Sequence, residues 1–175
     1  VIDVVIHIDR LPQAGEDIAG RQKGMIVGGC AFNVSKIMGA LGTAHDLCVP
    51  LGKGMYADII RQELLQSGHW PMIEDERCDN GYCLSLVEAD GERTFITMDG
   101  IETMWLDAWL DKIDAQAYDY IYASGYGFQD DNPGSEVLLS CAAGNAAAVW
   151  CSTRGRGFWG SVLPTSFWVC IRFSK

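Results

Sequence analysis

Hydrophobic residues fall into short runs separated by glycine-rich turns, and the period of each run predicts its element. Residues 1–8 are β-branched and nearly continuous, which predicts a buried strand of a mostly parallel sheet. Leu11-Pro12-Gln13-Ala14-Gly15-Glu16-Asp17 has turn composition. Residues 18–27 alternate loosely, as a strand or flap would. After Gly28-Gly29 the spacing of Val34, Ile37, Met38 and Leu41 predicts one apolar helix face over residues 30–41, closed by Gly42 as a C-cap. A short strand is expected over 44–51, then a glycine turn and a second helix with Ile59, Ile60, Leu64 and Leu65 on one face. Strand, glycine turn and helix, repeated, is an α/β pattern.

The middle of the chain departs from that pattern. Residues 81–89 and 92–98 alternate around Asp90-Gly91, a strong hairpin signal, and a hairpin inside an α/β chain is an insertion of the kind that covers a site. Beyond it, a helix is expected over 105–113 with Trp105 and Trp109 as core residues. A strand is expected over 118–123, a turn at Ser124-Gly125-Tyr126-Gly127, a Pro133-started helix over 133–143 and a strand over 146–150. No clean period follows about residue 151. Every acidic residue lies at or before Glu136, while the end of the chain carries Arg154, Arg156, Arg172 and Lys175. Residues 1–150 therefore read as one domain and 151–175 as an atypical tail, frameshifted or disordered.

Composition narrows the function classes. A chain of 175 residues with 49% hydrophobic residues can bury one sizeable core. Its net charge of −10 argues against nucleic acid and against an anionic membrane surface as partners. With no apolar run long enough to span a bilayer and no basic-then-apolar leader, a cytoplasmic location is expected. Seven cysteines without a regular pattern fit reduced thiols rather than a disulfide framework, and Cys78 and Cys83 lack a second cluster with zinc spacing. His7, His45 and His69 are scattered, with no nucleophile pairing visible, and read as packing or surface residues.

Two places carry candidate chemistry. Gly28-Gly29 allows a tight turn and close approach of a ligand to the main chain, with Asn33 in the first turn of the helix that follows. Asp3 is a carboxylate inside an apolar strand, costly there unless it is paired or meets a ligand. The turn Gly52-Lys53-Gly54-Met55-Tyr56-Ala57, with Glu74 about 20 residues on, also fits a dinucleotide fingerprint, so an NAD-binding module is an alternative. A non-enzymatic binding or dimerisation module, its flap strands pairing with a second copy, is another.

Asp3, Leu11-Pro12 with Gly15-Glu16, Gly28-Gly29 with Asn33, Leu51-Gly52-Lys53-Gly54, the Asp90-Gly91-Glu92-Arg93-Thr94-Phe95 hairpin and Ser124-Gly125-Tyr126 together resemble the N-terminal half of the PfkB, or ribokinase-like, carbohydrate kinases. The resemblance runs over about residues 1–148 and is most like uncharacterised bacterial sugar kinases. It implies an α/β fold with a central, mostly parallel sheet, helices on both faces and a small β lid from about residues 9–27 and 81–98, the C-terminal half being missing. It also implies phosphorylation of a sugar or sugar-like alcohol with ATP and Mg²⁺. Asp3 and Asn33 would hydrogen-bond sugar hydroxyls, Gly28 and Gly29 would pack under the sugar, Arg93 is a contact candidate in the lid, and the lid strands offer a homodimer edge. The family's Gly-Ala-Gly-Asp and Asn-x-x-Glu segments do not occur in this sequence. No catalytic, ATP-binding or metal residue is therefore assigned, and sugar binding is the most this chain alone is expected to do.

Overall fold

The computed structural model describes residues 1–114, 117–124, 148–151 and 168–171. Ten strands and three helices are arranged in two four-stranded sheets and one two-stranded pair. The first sheet has the order β2 (Arg21–Val27), β1 (Ile2–His7), β6 (Tyr82–Val87), β7 (Arg93–Met98). In it β1 runs antiparallel to β2 and parallel to β6, and the β6–β7 hairpin closes through residues 88–92. The flap and the hairpin expected from the sequence are thus neighbours of the first strand in one sheet. Within β1, Ile2 and Val4 are buried while Asp3 and Val5 are half-buried, so the strand covers one core face and presents the other.

The second sheet has the order β3 (His45–Cys48), β10 (Trp168–Ile171), β8 (Tyr120–Ser124), β9 (Ala148–Cys151). β8 and β9 are parallel, and β10 is antiparallel to both of its neighbours. Of the C-terminal stretch, Cys151 ends β9 and residues 168–171 form β10. The turn expected over 125–127 and the helix over 133–143 lie outside the described residues. The single strand expected over 44–51 is two, β3 and β4 (Pro50–Leu51), and β4 pairs in parallel with β5 (Ile73–Glu74).

Helix α1 (Cys30–Ala40) joins the first sheet to the second, and α2 (Met55–Gln66) follows β4. Ile2, Val4, Phe32, Leu47, Ile60 and Leu64 share one core. Ile73, Ile101, Trp105, Trp109 and Ile121 share another, where the two tryptophans meet edge to face as core residues. The helix expected over 105–113 is only the single turn α3 (Asp107–Leu110), preceded by a 3-10 turn at Ile101–Thr103.

The α1 face requires a correction. Its buried residues are Ala31, Phe32 and Ser35, while Ile37 is 58% and Leu41 72% exposed. The 3.6-residue period does put Val34, Ile37, Met38 and Leu41 on one side, but the first core takes Phe32 and reaches only Val34 and Met38 at its margin. In α2 the same offset buries Ala57, Ile60 and Leu64 and leaves Leu65 exposed.

Candidate functional site

The register of the first sheet places its polar groups. Asp3 pairs with Ile26 on one side and with Cys83 on the other, and Cys83 pairs with Thr97, so these four form a row across one face. The Thr97 hydroxyl lies 3.5 Å from Cys83 Sγ. Burial pushes the Cys83 thiol up, as it does the half-buried Asp3 carboxyl. No hydrogen bond from a described residue reaches the Asp3 carboxylate. Its polar capacity is open.

Immediately beside it the chain turns from β2 into α1. Gly28 donates its backbone N–H to Val1 O at 3.0 Å, and a Cβ on Gly28 would overlap Asp3 Oδ2. Only glycine leaves space for the carboxylate there. Gly29 sits at φ 102° as the N-cap of α1, a conformation that favours glycine, and no side chain caps this helix. Asn33, whose N–H closes the first helical hydrogen bond onto Gly29 O at 3.0 Å, is exposed and makes no side-chain hydrogen bond with described residues. Asp3, Gly28 and Gly29 are therefore together, with Asn33 one turn into the helix that they start.

Arg93 is not part of this cluster. It pairs with Val87, which pairs with His7, four residues along β1 from Asp3. That is about 13 Å along the sheet, on the same face. Thr97, which does share the Asp3 row, was not singled out in the sequence, and Cys83 was weighed there only as a zinc ligand. Only the strand register could have found them.

The second glycine turn is built differently. The Asp79 carboxylate accepts from Tyr56 N at 3.0 Å, Ala57 N at 2.7 Å and Asn80 N at 2.7 Å, so an anion already sits at the N-terminus of α2. A Cβ on Gly54, φ 153°, would overlap that carboxylate. The dinucleotide alternative at residues 52–57 is thereby corrected: the place a pyrophosphate would take is filled by the protein's own carboxylate. Asp79→Ala is expected to lower stability by about 1–2 kcal/mol through loss of the cap, read as a fall of several degrees in melting temperature, with Asp79→Asn falling less.

Asn80 and Gly81 continue the same knot. Asn80, 3% exposed, accepts from Gly52 N at 2.9 Å and donates to Pro50 O at 3.0 Å and to Glu102 Oε2 at 3.2 Å. Glu102, fully buried, accepts from Gly81 N at 2.9 and 3.0 Å through its two oxygens. This knot fixes the base of the β6–β7 hairpin against β4 and α2. Among the described residues no group of three His, Cys, Asp or Glu could hold a metal ion.

Comparisons with known proteins bear on the family and the fold. The chain is 39% identical over 139 residues to the uncharacterized sugar kinase YegV of Escherichia coli (strain K12), an alignment covering 79% of this chain and 43% of that protein. The fold superimposes on ribokinase from Giardia lamblia with a TM-score of 0.66 at 17% identity, covering 89% of this chain and 49% of that one. It superimposes on fructokinase with bound ATP from Xylella fastidiosa with a TM-score of 0.66 at 16% identity, covering 91% and 51%. The chain spans about half the length of these proteins. Residues 1–157 match the pfkB family carbohydrate kinases, and the fold is ribokinase-like, so the chain belongs to that family.

Proposed function

We propose that this chain is the substrate-holding part of a carbohydrate kinase, and that it binds a sugar or sugar-like alcohol over Asp3, Gly28, Gly29 and Asn33. The observation that carries this reading is the half-buried Asp3 carboxylate seated on Gly28 with no hydrogen-bond partner among the described residues. A hydroxyl donor would satisfy it, and Asn33 can both donate to and accept from neighbouring hydroxyls. The sheet formed by β2, β1, β6 and β7 is the lid of the reading, its Asp3 face toward the sugar. The exposed Ile26 and Phe95 lie on that face and suit the apolar side of a sugar ring. Arg93, farther along, would meet only a larger or acidic substrate.

ATP and Mg²⁺ enter with the family reaction, transfer of a phosphoryl group to a sugar hydroxyl. This sequence carries neither segment that would organise them, so phosphoryl transfer by the chain alone is not part of the proposal. Its site is in a protein with no helix long and apolar enough to cross a membrane among the described residues. Among the described residues β2 and β7 are the outer strands of the lid sheet, which is where a second copy would add.

A thermal-shift panel of pentoses, hexoses, polyols and nucleosides on the purified chain, run beside an ATP-turnover assay, tests the reading. A melting-temperature rise of at least 2 °C with one sugar class and no ATP turnover is the expected result. No shift with any sugar at tens of millimolar would sink it, and sedimentation in the same buffer reports whether the lid edges pair.

A further inference from the structure

Away from Asp3, a cleft of about 640 Å³ opens between α1, the start of β3 and the turn after α2, lined by Ser35, Lys36, His45, Asp46, His69 and Trp70 among others. Three elements meet there at one hydroxyl. Ser35, 1% exposed in the middle of α1, has its Oγ 2.9 Å from His45 Nε2 and 2.8 Å from His69 Nε2. His45 Nδ1 lies 2.8 Å from Thr43 O, and the two rings are edge to face with centroids 5.0 Å apart.

Donor and acceptor logic fixes the protons. A carbonyl only accepts, so His45 Nδ1 carries a hydrogen and, in a neutral ring, Nε2 is a bare acceptor. Ser35 gives its single hydrogen to that nitrogen. Its oxygen is then left to accept from His69 Nε2–H. The chain His69 to Ser35 to His45 to Thr43 is complete with both imidazoles neutral: a further proton on His45 would take Nε2, its acceptor, while one on His69 would go to Nδ1, outside the chain.

We propose that this His69–Ser35–His45 relay is a pH-sensitive pin that fastens α1 to β3 and to the turn at residues 67–70 near neutral pH and releases them in mild acid. A proton on His45 Nε2 would aim two N–H donors at one oxygen and displace the serine hydrogen from its acceptor. A proton on His69 leaves its bond to Ser35 in place but sets a charge in a half-buried site against the other ring. The surrounding charges do not cancel this. From β3, Asp46 favours a charged His69, but Tyr118 Oη donates to its Oδ2 at 2.6 Å. From α1, Lys36 adds a positive charge, held 3.8 Å from Glu63 of α2.

Burial first, then His45, holds the His69 pKa below its ordinary value of 6.5. A depressed histidine pKa means that the unfolded chain binds the proton more readily. The pin's stability is therefore present above about pH 6.5 and lost as pH falls below it. Because α1 begins at the Gly29 turn and carries Asn33, loosening the pin loosens the helix that carries the candidate site. The inference itself concerns α1 and does not depend on which ligand that site takes.

Hydrogen exchange of the α1 amides between pH 7.5 and 5.5, expressed as protection factors, tests the pin in the intact chain. Protection of α1 is expected to fall about tenfold over that step while β6 stays within about twofold. In the double variant His45→Gln, His69→Gln the two amides can still accept from and donate to Ser35 but neither titrates, so acid loss should shrink to less than about twofold. In Ser35→Ala, protection should be low and independent of pH. Flat α1 protection in the wild type, an equal fall in β6, or undiminished acid loss in the double variant overturns the proposal. Should Ser35→Ala not fold, the wild-type and double-variant profiles decide.

Discussion

Replacing Asn80 by Ala is expected to lower the stability of the chain by about 3–4 kcal/mol and its melting temperature by roughly 10 °C, the largest structural effect of any single substitution considered. The side chain is buried and makes three hydrogen bonds to two separate segments: Gly52 N and Pro50 O in one, Glu102 in the other. Alanine leaves a buried N–H and a buried carbonyl without partners, and it removes one of the donors to Glu102, whose carboxylate is itself fully buried. The orphaned groups, rather than the lost bonds, set the size of the effect, because each keeps its desolvation cost and loses its compensation.

Glu102→Gln separates this account from a simple packing effect. Glutamine keeps the volume but turns one acceptor into a donor where Gly81 N and Asn80 Nδ2 already point, so it should cost about 2 kcal/mol or more. Guanidinium unfolding of both variants, followed by tryptophan fluorescence, is the measurement. A loss below about 1 kcal/mol in each would mean that the knot at the base of the hairpin is not closed.

This knot marks the boundary of what the sequence made legible. The Asp90-Gly91 hairpin, the Gly28-Gly29 turn and the α/β alternation were readable because each depends on residues close in sequence. Asp3 was readable because a carboxylate in an apolar strand is locally anomalous. Glu102 was not, since the groups that make its burial tolerable lie 21 and 22 residues earlier. The same holds for Ser35 and the two histidines, which sit 10 and 34 residues from it.

Periodicity failed in a different way at α1. It identifies which residues share a side but not which side is covered, and the first core selects Phe32 over Ile37 and Leu41. Glycine spacing was equally blind at residues 52–54. The motif fits a phosphate cradle, and only the fold shows that Asp79 occupies it.

Asp3→Asn is expected to weaken binding of the sugar found in the thermal-shift panel by about 10–100-fold while raising the melting temperature of the free chain by a degree or more. The two effects have one cause. Burial raises the Asp3 pKa above its ordinary 3.8, so the folded chain takes up the proton more readily than the unfolded chain does. With a raised folded pKa, stability is fully present below pH 3.8 and is lost as pH rises through the folded value, which leaves the ionised carboxylate destabilising at neutral pH. Asparagine removes the charge and hence that cost. It also removes the charged acceptor that a sugar hydroxyl would use.

Gly28→Ala is the complementary variant, because its Cβ would overlap Asp3 Oδ2 and push the carboxylate off its seat without changing its charge. It should lose binding to a similar extent but with a lower melting temperature, by about 1–2 kcal/mol of strain. Opposite stability shifts with the same binding loss would tie the site to the carboxylate and to its position. If Asp3→Asn binds sugar as the wild type does, the carboxylate has no ligand role; if it also fails to gain stability, its burial is compensated by a contact other than those described.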